Sequence, residues 1–118
     1  MIGELIIKLF HARTNAHILH LKTRNYAQHK ALNDFYDEIV DLADTLAEAY
    51  QGDYGIIEDY PPRYVPHNDG LELMTELGTW IEANRHKLWD GDDSYLESLV
   101  DEIVTCIRQT QYKLRFLK

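Results

Sequence analysis

The chain has one cysteine, Cys106, and so no internal disulfide framework; within a helical pattern and a reducing cytoplasm, that thiol is expected to pack as a small apolar group. Its three prolines, Pro61, Pro62 and Pro66, all fall in one stretch, and nothing elsewhere forbids long helices. Basic residues are few: 12 Lys and Arg stand against 20 Asp and Glu, a net charge of -8, and the twelve are scattered without a basic run. That balance makes the isolated subunit a poor partner for duplex DNA. Long apolar runs are also missing, because Glu4 and Lys8 interrupt Met1 to Phe10, the only candidate for a leader or a membrane span. A soluble, cytoplasmic protein is expected. What the chain does have is 118 residues, 45% of them hydrophobic, with two Trp, eight Tyr and three Phe, enough for a single domain with one core.

The apolar spacing predicts four helices, over about 2–21, 26–51, 69–88 and 95–116. In the first, Leu5, Ile6, Leu9, Phe10, Ala12, Ala16, Ile18 and Leu19 form the inward stripe, and Gly3 weakens only the first turn. Thr23, Arg24 and Asn25 make a joint so tight that it forces an antiparallel hairpin, with Asn25 as N-cap and Gln28 as its capping-box partner. The second helix turns Leu32, Phe35, Tyr36, Ile39, Val40, Ala43, Leu46, Ala47 and Tyr50 inward and stops at Gly52. Residues 52–68, GDYGIIEDYPPRYVPHN, have no helical period. Extended, they reach roughly 55 Å, against roughly 40 Å for the second helix, so they can carry the chain back along the whole bundle, with tyrosines, Ile56 and Ile57 packed on its outside. The third helix uses Leu71, Leu73, Met74, Leu77, Trp80, Ile81 and Ala83, with Gly78 at a close helix contact; after a turn and cap at Asp90 to Ser94, the fourth uses Leu96, Leu99, Val100, Ile103, Val104, Ile107, Tyr112 and Leu114. The expected fold is an all-α, ferritin-like four-helix bundle of two hairpins joined by a long proline-containing crossover, up, down, down, up.

The chemistry-bearing residues concentrate in the first hairpin, HILHLKTRNYAQHKALNDFYDEIVDLADTLAE, from His17 to Glu48. Asp37, Asp41, Asp44 and Glu48 line one edge of the second helix and repel one another, unless a cation, a partner or solvent screens them. His17, His29, Asp44 and Glu48 are ligand types suited to iron, zinc or manganese. Along one helix His29 and Asp44 stand about 22 Å apart, too far to share an ion. The carboxylates reach the histidines only from a second copy lying antiparallel, which a two-fold dimer supplies. The plain alternative is a solvated acidic face with His17, His20 and His29 as polar hairpin residues. Elsewhere no Glu-x-x-His motif occurs; Glu82 with His86 reads as a surface contact, and His67 as a loop residue.

This stretch resembles the Dps family, the ferritin-like proteins of starved bacteria, whose pattern is a His, a second His twelve residues on, an Asp four later and Asp-x-x-x-Glu after eleven more. His17, His29 and Asp44-Thr45-Leu46-Ala47-Glu48 match it, Asn33 stands where the family has its first Asp, and Tyr112-Lys113-Leu114-Arg115-Phe116-Leu117 is similar to the family's ending. The middle third has no counterpart. The resemblance implies a homo-oligomer, at least a two-fold dimer, in which His17, His29 and Asn33 of one subunit and Asp44 and Glu48 of its mate bind iron (Fe2+/Fe3+). It further implies a ferroxidase that passes electrons from ferrous iron to peroxide, in iron storage or oxidative-stress protection. Ile18-Leu19 replaces the family's Trp-Asn, the chain has no tail for DNA, and the family's small middle helix gives way to the proline loop, as in a reduced relative of the kind bacteriophages carry. Two alternatives stay open. One is a non-catalytic helical module that lost iron chemistry and binds a protein partner through its acidic face. The weaker one is a MazG-like magnesium-dependent nucleotide pyrophosphatase, suggested by Asp37-Glu38-x-x-Asp41-x-x-Asp44, with only Asp101-Glu102 for its second acidic set.

Overall fold

A computed structural model describes all 118 residues, Met1 to Lys118, and contains four α-helices and no strand. Helix α1 spans Ile2–Lys22, α2 Tyr26–Tyr54, α3 Gly70–Asn84 and α4 Ser94–Phe116, with a 3-10 turn over Arg85–Lys87. The helices form a closed ring in which α1 packs on α2, α2 on α4, α4 on α3 and α3 on α1, in a body of 44 × 26 × 22 Å. One cluster of 23 buried residues fills the middle, with Phe35, Leu5, Ile39, Met74, Ile103 and Ile107 among its fully buried side chains. Each such side chain contributes roughly 1.5–3 kcal/mol by leaving water. Three residues expected inside are instead exposed: Ile18, Ala83 and Tyr112. Ile18, Ala83 and Tyr112 sit on the outer faces of their helices, and the Tyr112 ring lies beside that of Phe116 at 6.0 Å between centroids. No helix is long and apolar enough to cross a membrane.

The joint between α1 and α2 is closed by side chains. The Asn25 carboxamide oxygen accepts from the Gln28 N–H at 2.9 Å, as an N-cap should. The reciprocal half of the capping box is relayed: Asn25 N–H donates to Thr23 Oγ1 at 3.2 Å, and that hydroxyl donates to Gln28 Oε1 at 3.0 Å. At its other end α2 runs through Gly52 and stops only at Tyr54, capped by Gly55 with φ 99°. The extra turn survives the helix cost of glycine because side chains anchor it to the start of α4: the Tyr54 hydroxyl donates to Asp93, and the Tyr95 hydroxyl to Asp53 at 2.6 Å. Asp93 occupies the N-cap position of α4 but makes no capping bond, since its carboxylate is turned to Tyr54.

Those two phenols are pushed up to about 12 from 10.0, first by the hydrogen bond to a carboxylate and then by desolvation. A phenol that binds its proton more tightly when folded stabilises the fold fully below pH 10, and the contribution is lost as pH rises toward 12. Urea unfolding followed from pH 9 to pH 12 should therefore show a steeper loss of stability for the wild type than for the Tyr54→Phe, Tyr95→Phe double variant; equal slopes would contradict the clamp.

The segment between α2 and α3 lies against α1. Ile57 is buried and its N–H donates to Gln51 Oε1 at 3.0 Å, whereas Ile56, expected to pack, is exposed. The Asp59 backbone passes so close to Gly3 that no side chain fits there, so this glycine is required by the approach of the strand of loop rather than merely tolerated in a first turn. Tyr64 packs on His11 with ring centroids 4.7 Å apart. Asn15, buried in α1, then clamps the His67 backbone from both sides, donating to its carbonyl at 3.0 Å and accepting from its N–H at 2.7 Å.

Helix α3 starts at an N-cap, Asp69, whose carboxylate accepts from the Glu72 N–H at 3.0 Å. It begins beside Leu32 of α2 and Leu114 of α4. It ends at Asn84, short of the expected 88, because the chain tightens to bring Arg85 across to α4, where the guanidinium meets Glu97 at 2.9 Å and Asp101 at 2.7 Å. Burial opposes the charge on Arg85, but these carboxylates outweigh it and raise its pKa. Gly78 does mark a close contact, and what lies over it is the Arg108 guanidinium.

Candidate functional site at the first hairpin

The last turn of α1 and the first turns of α2 bring three histidines and a tyrosine together. His20 and His29 face each other across the joint with ring centroids 3.6 Å apart and planes 19° from parallel. Their bonds are reciprocal: His20 Nδ1 donates to the His29 carbonyl and His29 Nδ1 to the His20 carbonyl, both at 2.8 Å. A carbonyl oxygen can only accept, so both Nδ1 atoms carry hydrogen, and the tautomer this selects for an uncharged ring has its lone pair on Nε2. The His20 carbonyl is one of the acceptors that the end of α1 leaves without an intrahelical donor, so His29 also caps that helix. Neither Nε2 has a protein partner, and since no buried side-chain polar atom lacks one, both reach solvent.

His17 lies one turn back, its ring stacked on Tyr36 at 4.2 Å and 5.8 Å from His20. The Tyr36 hydroxyl donates to Asn33 Oδ1 at 2.9 Å, and Asn33 Nδ2 donates to Asp37 Oδ2 at 2.9 Å. An ionised Asp37 can only accept, which fixes the orientation of the Asn33 amide. His17, His29 and Asn33 are thus gathered around His20 and Tyr36 within one chain. Asp44 and Glu48 are not with them; both are exposed further along α2 and make no hydrogen bond or ion pair. The rings of His20 and His29 are stacked, so their in-plane Nε2 lone pairs lie in separate, nearly parallel planes and do not converge on one ion at the usual bond length of about 2.1 Å. Accordingly no three His, Cys, Asp or Glu side chains of the chain form a group able to hold a metal ion.

The remaining candidates are engaged elsewhere. His67 has Nδ1 3.5 Å from Glu72 and Nε2 3.2 Å from Glu76. Glu82 turns to Arg85 at 3.5 Å and makes no bond to His86, and Asp101 is held by the same arginine. Cys106 is buried, and its thiol is pushed up to about 12, by desolvation first and by Glu38 second. Sequence spacing named His20 only as a polar hairpin residue and missed both its pairing with His29 and the role of Asn15; the signal for the pairing is the near-symmetric placement of positions 20 and 29 about the joint. Asn15 gave a weaker signal, a carboxamide within the apolar stripe of α1.

The fold and the hairpin cluster define an all-helical, four-helix protein with three histidines gathered at one end of the bundle. The chain belongs to a family of unknown function (DUF5856), whose sequence profile matches residues 20–114. It is similar to an uncharacterized 14.6 kDa protein in the mobD-ri intergenic region of Enterobacteria phage T4, 28% identical over 114 residues that cover 94% of this chain and 85% of the phage protein. No solved structure matches.

Proposed function

We propose that the protein is a Dps-related, ferritin-like bundle that takes up ferrous iron at a site shared by two copies and oxidises it, in iron storage or protection from oxidants. The observation that carries this reading is the bond from His29 Nδ1 to the His20 carbonyl, which leaves Nε2 as a solvent-facing lone pair. Histidines that bind metals are commonly oriented in this way, by a backbone carbonyl on the other ring nitrogen. The start of α3 beside Leu32 supports the topology, since α2 and α3 then run in the same direction and the intervening loop, fixed along α1, acts as the crossover of an up, down, down, up bundle.

Iron is here cargo and substrate. His17 and His29 would supply neutral nitrogen ligands from one copy, and Asp44 and Glu48 carboxylates from an antiparallel mate, a donor set that suits a ferrous ion. Two ferrous ions each give one electron to a peroxide, which takes up two protons and leaves as two waters, so no hydroxyl radical is released. Asn33 keeps one lone pair on Oδ1 beyond its bond to Tyr36, but it brings no charge. Its affinity for a hard cation is correspondingly lower than that of an aspartate.

A second reading, a helical module that binds another protein, is favoured by a different observation: Ile18, Leu21 and Tyr26 are exposed at the hairpin end. An anaerobic ferrous titration of the full chain, paired with its mass in solution, separates the two. Saturable binding by a dimer, lost in His29→Ala and in Glu48→Ala, is expected for the iron protein. A monomer, no binding, or full binding in Glu48→Ala would overturn it and leave the interaction module.

A further inference from the structure

On the opposite side of α1 from the histidine hairpin, between α1, α3 and the loop from Pro61 to His67, lies an open cleft of about 480 Å3. That volume is within the range of small-molecule sites, roughly 300–1,000 Å3. Flat aromatic surface comes from two walls, Trp80 on α3 and Tyr64 on the loop. Two cations, Lys8 and Arg63, line the same cleft, in a chain whose net charge is -8. Neither takes part in an ion pair, all of which involve His67, Arg85 or Lys113. The Lys8 ammonium instead sits over the Trp80 ring, 5.1 Å from its centroid. Of the two lining carboxylates, Glu76 is turned onto His67 at 3.2 Å, which leaves Glu4 alone against the two cations.

The geometry points to a binding site in this cleft for a small planar organic anion, an aromatic or heteroaromatic ring bearing one carboxylate or one phosphate. The ring lies along the Trp80 and Tyr64 walls and displaces the Lys8 ammonium from the indole face. The anionic group then meets Lys8 and Arg63, which line the cleft from a helix and from the loop, and the excess of cations over Glu4 selects against neutral rings. This site shares no residue with the hairpin cluster and stands or falls independently of iron binding.

Calorimetric titration of the full chain tests it with adenosine monophosphate and indole-3-carboxylate as probes, and with adenosine and inorganic phosphate as controls. Saturable binding of at least one ring-bearing anion is expected, at least about tenfold tighter than either control. Arg63→Ala, on the exposed loop and harmless to the helices, should weaken it by about tenfold, Lys8→Ala by a similar factor, and Glu4→Gln should strengthen it. Which of the two probes binds distinguishes a phosphate-bearing from a carboxylate-bearing ligand. The assignment is overturned if neither probe saturates by about 5 mM, if adenosine binds as tightly as its monophosphate, or if the Lys8→Ala, Arg63→Ala double variant binds undiminished with its helical circular dichroism intact.

Discussion

Asn15→Asp should cost about 3–4 kcal/mol of stability at pH 7, and most of that loss should vanish in acid. The side chain is 3% exposed and makes two bonds of opposite sense to one residue, donating to the His67 carbonyl and accepting from its N–H. A carboxylate keeps the second bond and replaces the first by an oxygen facing an oxygen, while its charge is withdrawn from water. Protonated, the same carboxyl reproduces the carboxamide, its hydroxyl donating where the amide did. The folded state therefore binds that proton more tightly than the unfolded state, whose carboxyl titrates near 3.9. The penalty is full above the raised folded value and shrinks as pH falls toward the unfolded one. Asn15→Leu removes both bonds without a charge and should cost a pH-independent amount. Urea unfolding of both variants at pH 7 and pH 4.5 decides the matter: if Asn15→Asp gains nothing on Asn15→Leu in acid, the two-way clamp is not what holds the loop.

Gly3→Ala should destabilise by about 2 kcal/mol, against the usual sign for glycine to alanine in a helix. An added methyl would overlap the Asp59 carbonyl oxygen and lie 3.2 Å from the Ile57 side chain. Backbone atoms cannot rotate aside as a side-chain tip can, so the loop must lift, and the burial of Ile57 goes with it. Gly52→Ala is the internal comparison. That glycine is also helical, but a methyl there meets nothing within 4 Å, so the substitution should stabilise by about 0.5–1 kcal/mol. Thermal unfolding of the two variants should move in opposite directions from the wild type. A stabilised Gly3→Ala would mean that the loop does not approach α1 as described.

The four helices were legible because each carries an apolar stripe of helical period, and helices are specified locally. Their ends were less so. Gly52 reads as a stop, and only the Tyr54 and Tyr95 hydroxyls, which find carboxylates from the neighbouring helix, explain why α2 continues to Tyr54. Arg85 ends α3 early for the same kind of reason, a partner distant in sequence. At the hairpin, spacing alone gathered His17, His29 and Asn33 near one end and separated them from Asp44 and Glu48. It could not anticipate that His20 and His29 would stack and fix each other's tautomers, since that depends on the register of two helices across a short joint. The cleft between α1, α3 and the loop was invisible in the sequence. Lys8, Arg63, Tyr64 and Trp80 come from three segments with no common period, and only the course of the loop brings them together.

That course also sets the order in which the molecule can assemble. The attachments of the loop fall on Gly3, His11 and Asn15, positions that lie within reach of one continuous path only after α1 has coiled. An unwound α1 offers them at unrelated places along an extended strand, and the loop gains nothing by approaching it. The first hairpin, closed across a three-residue joint, loses little entropy on forming and can come early, whereas the loop must follow it. Melting of α1 must then release the loop with it, so a segment without regular structure depends for its course on the helix it lies on.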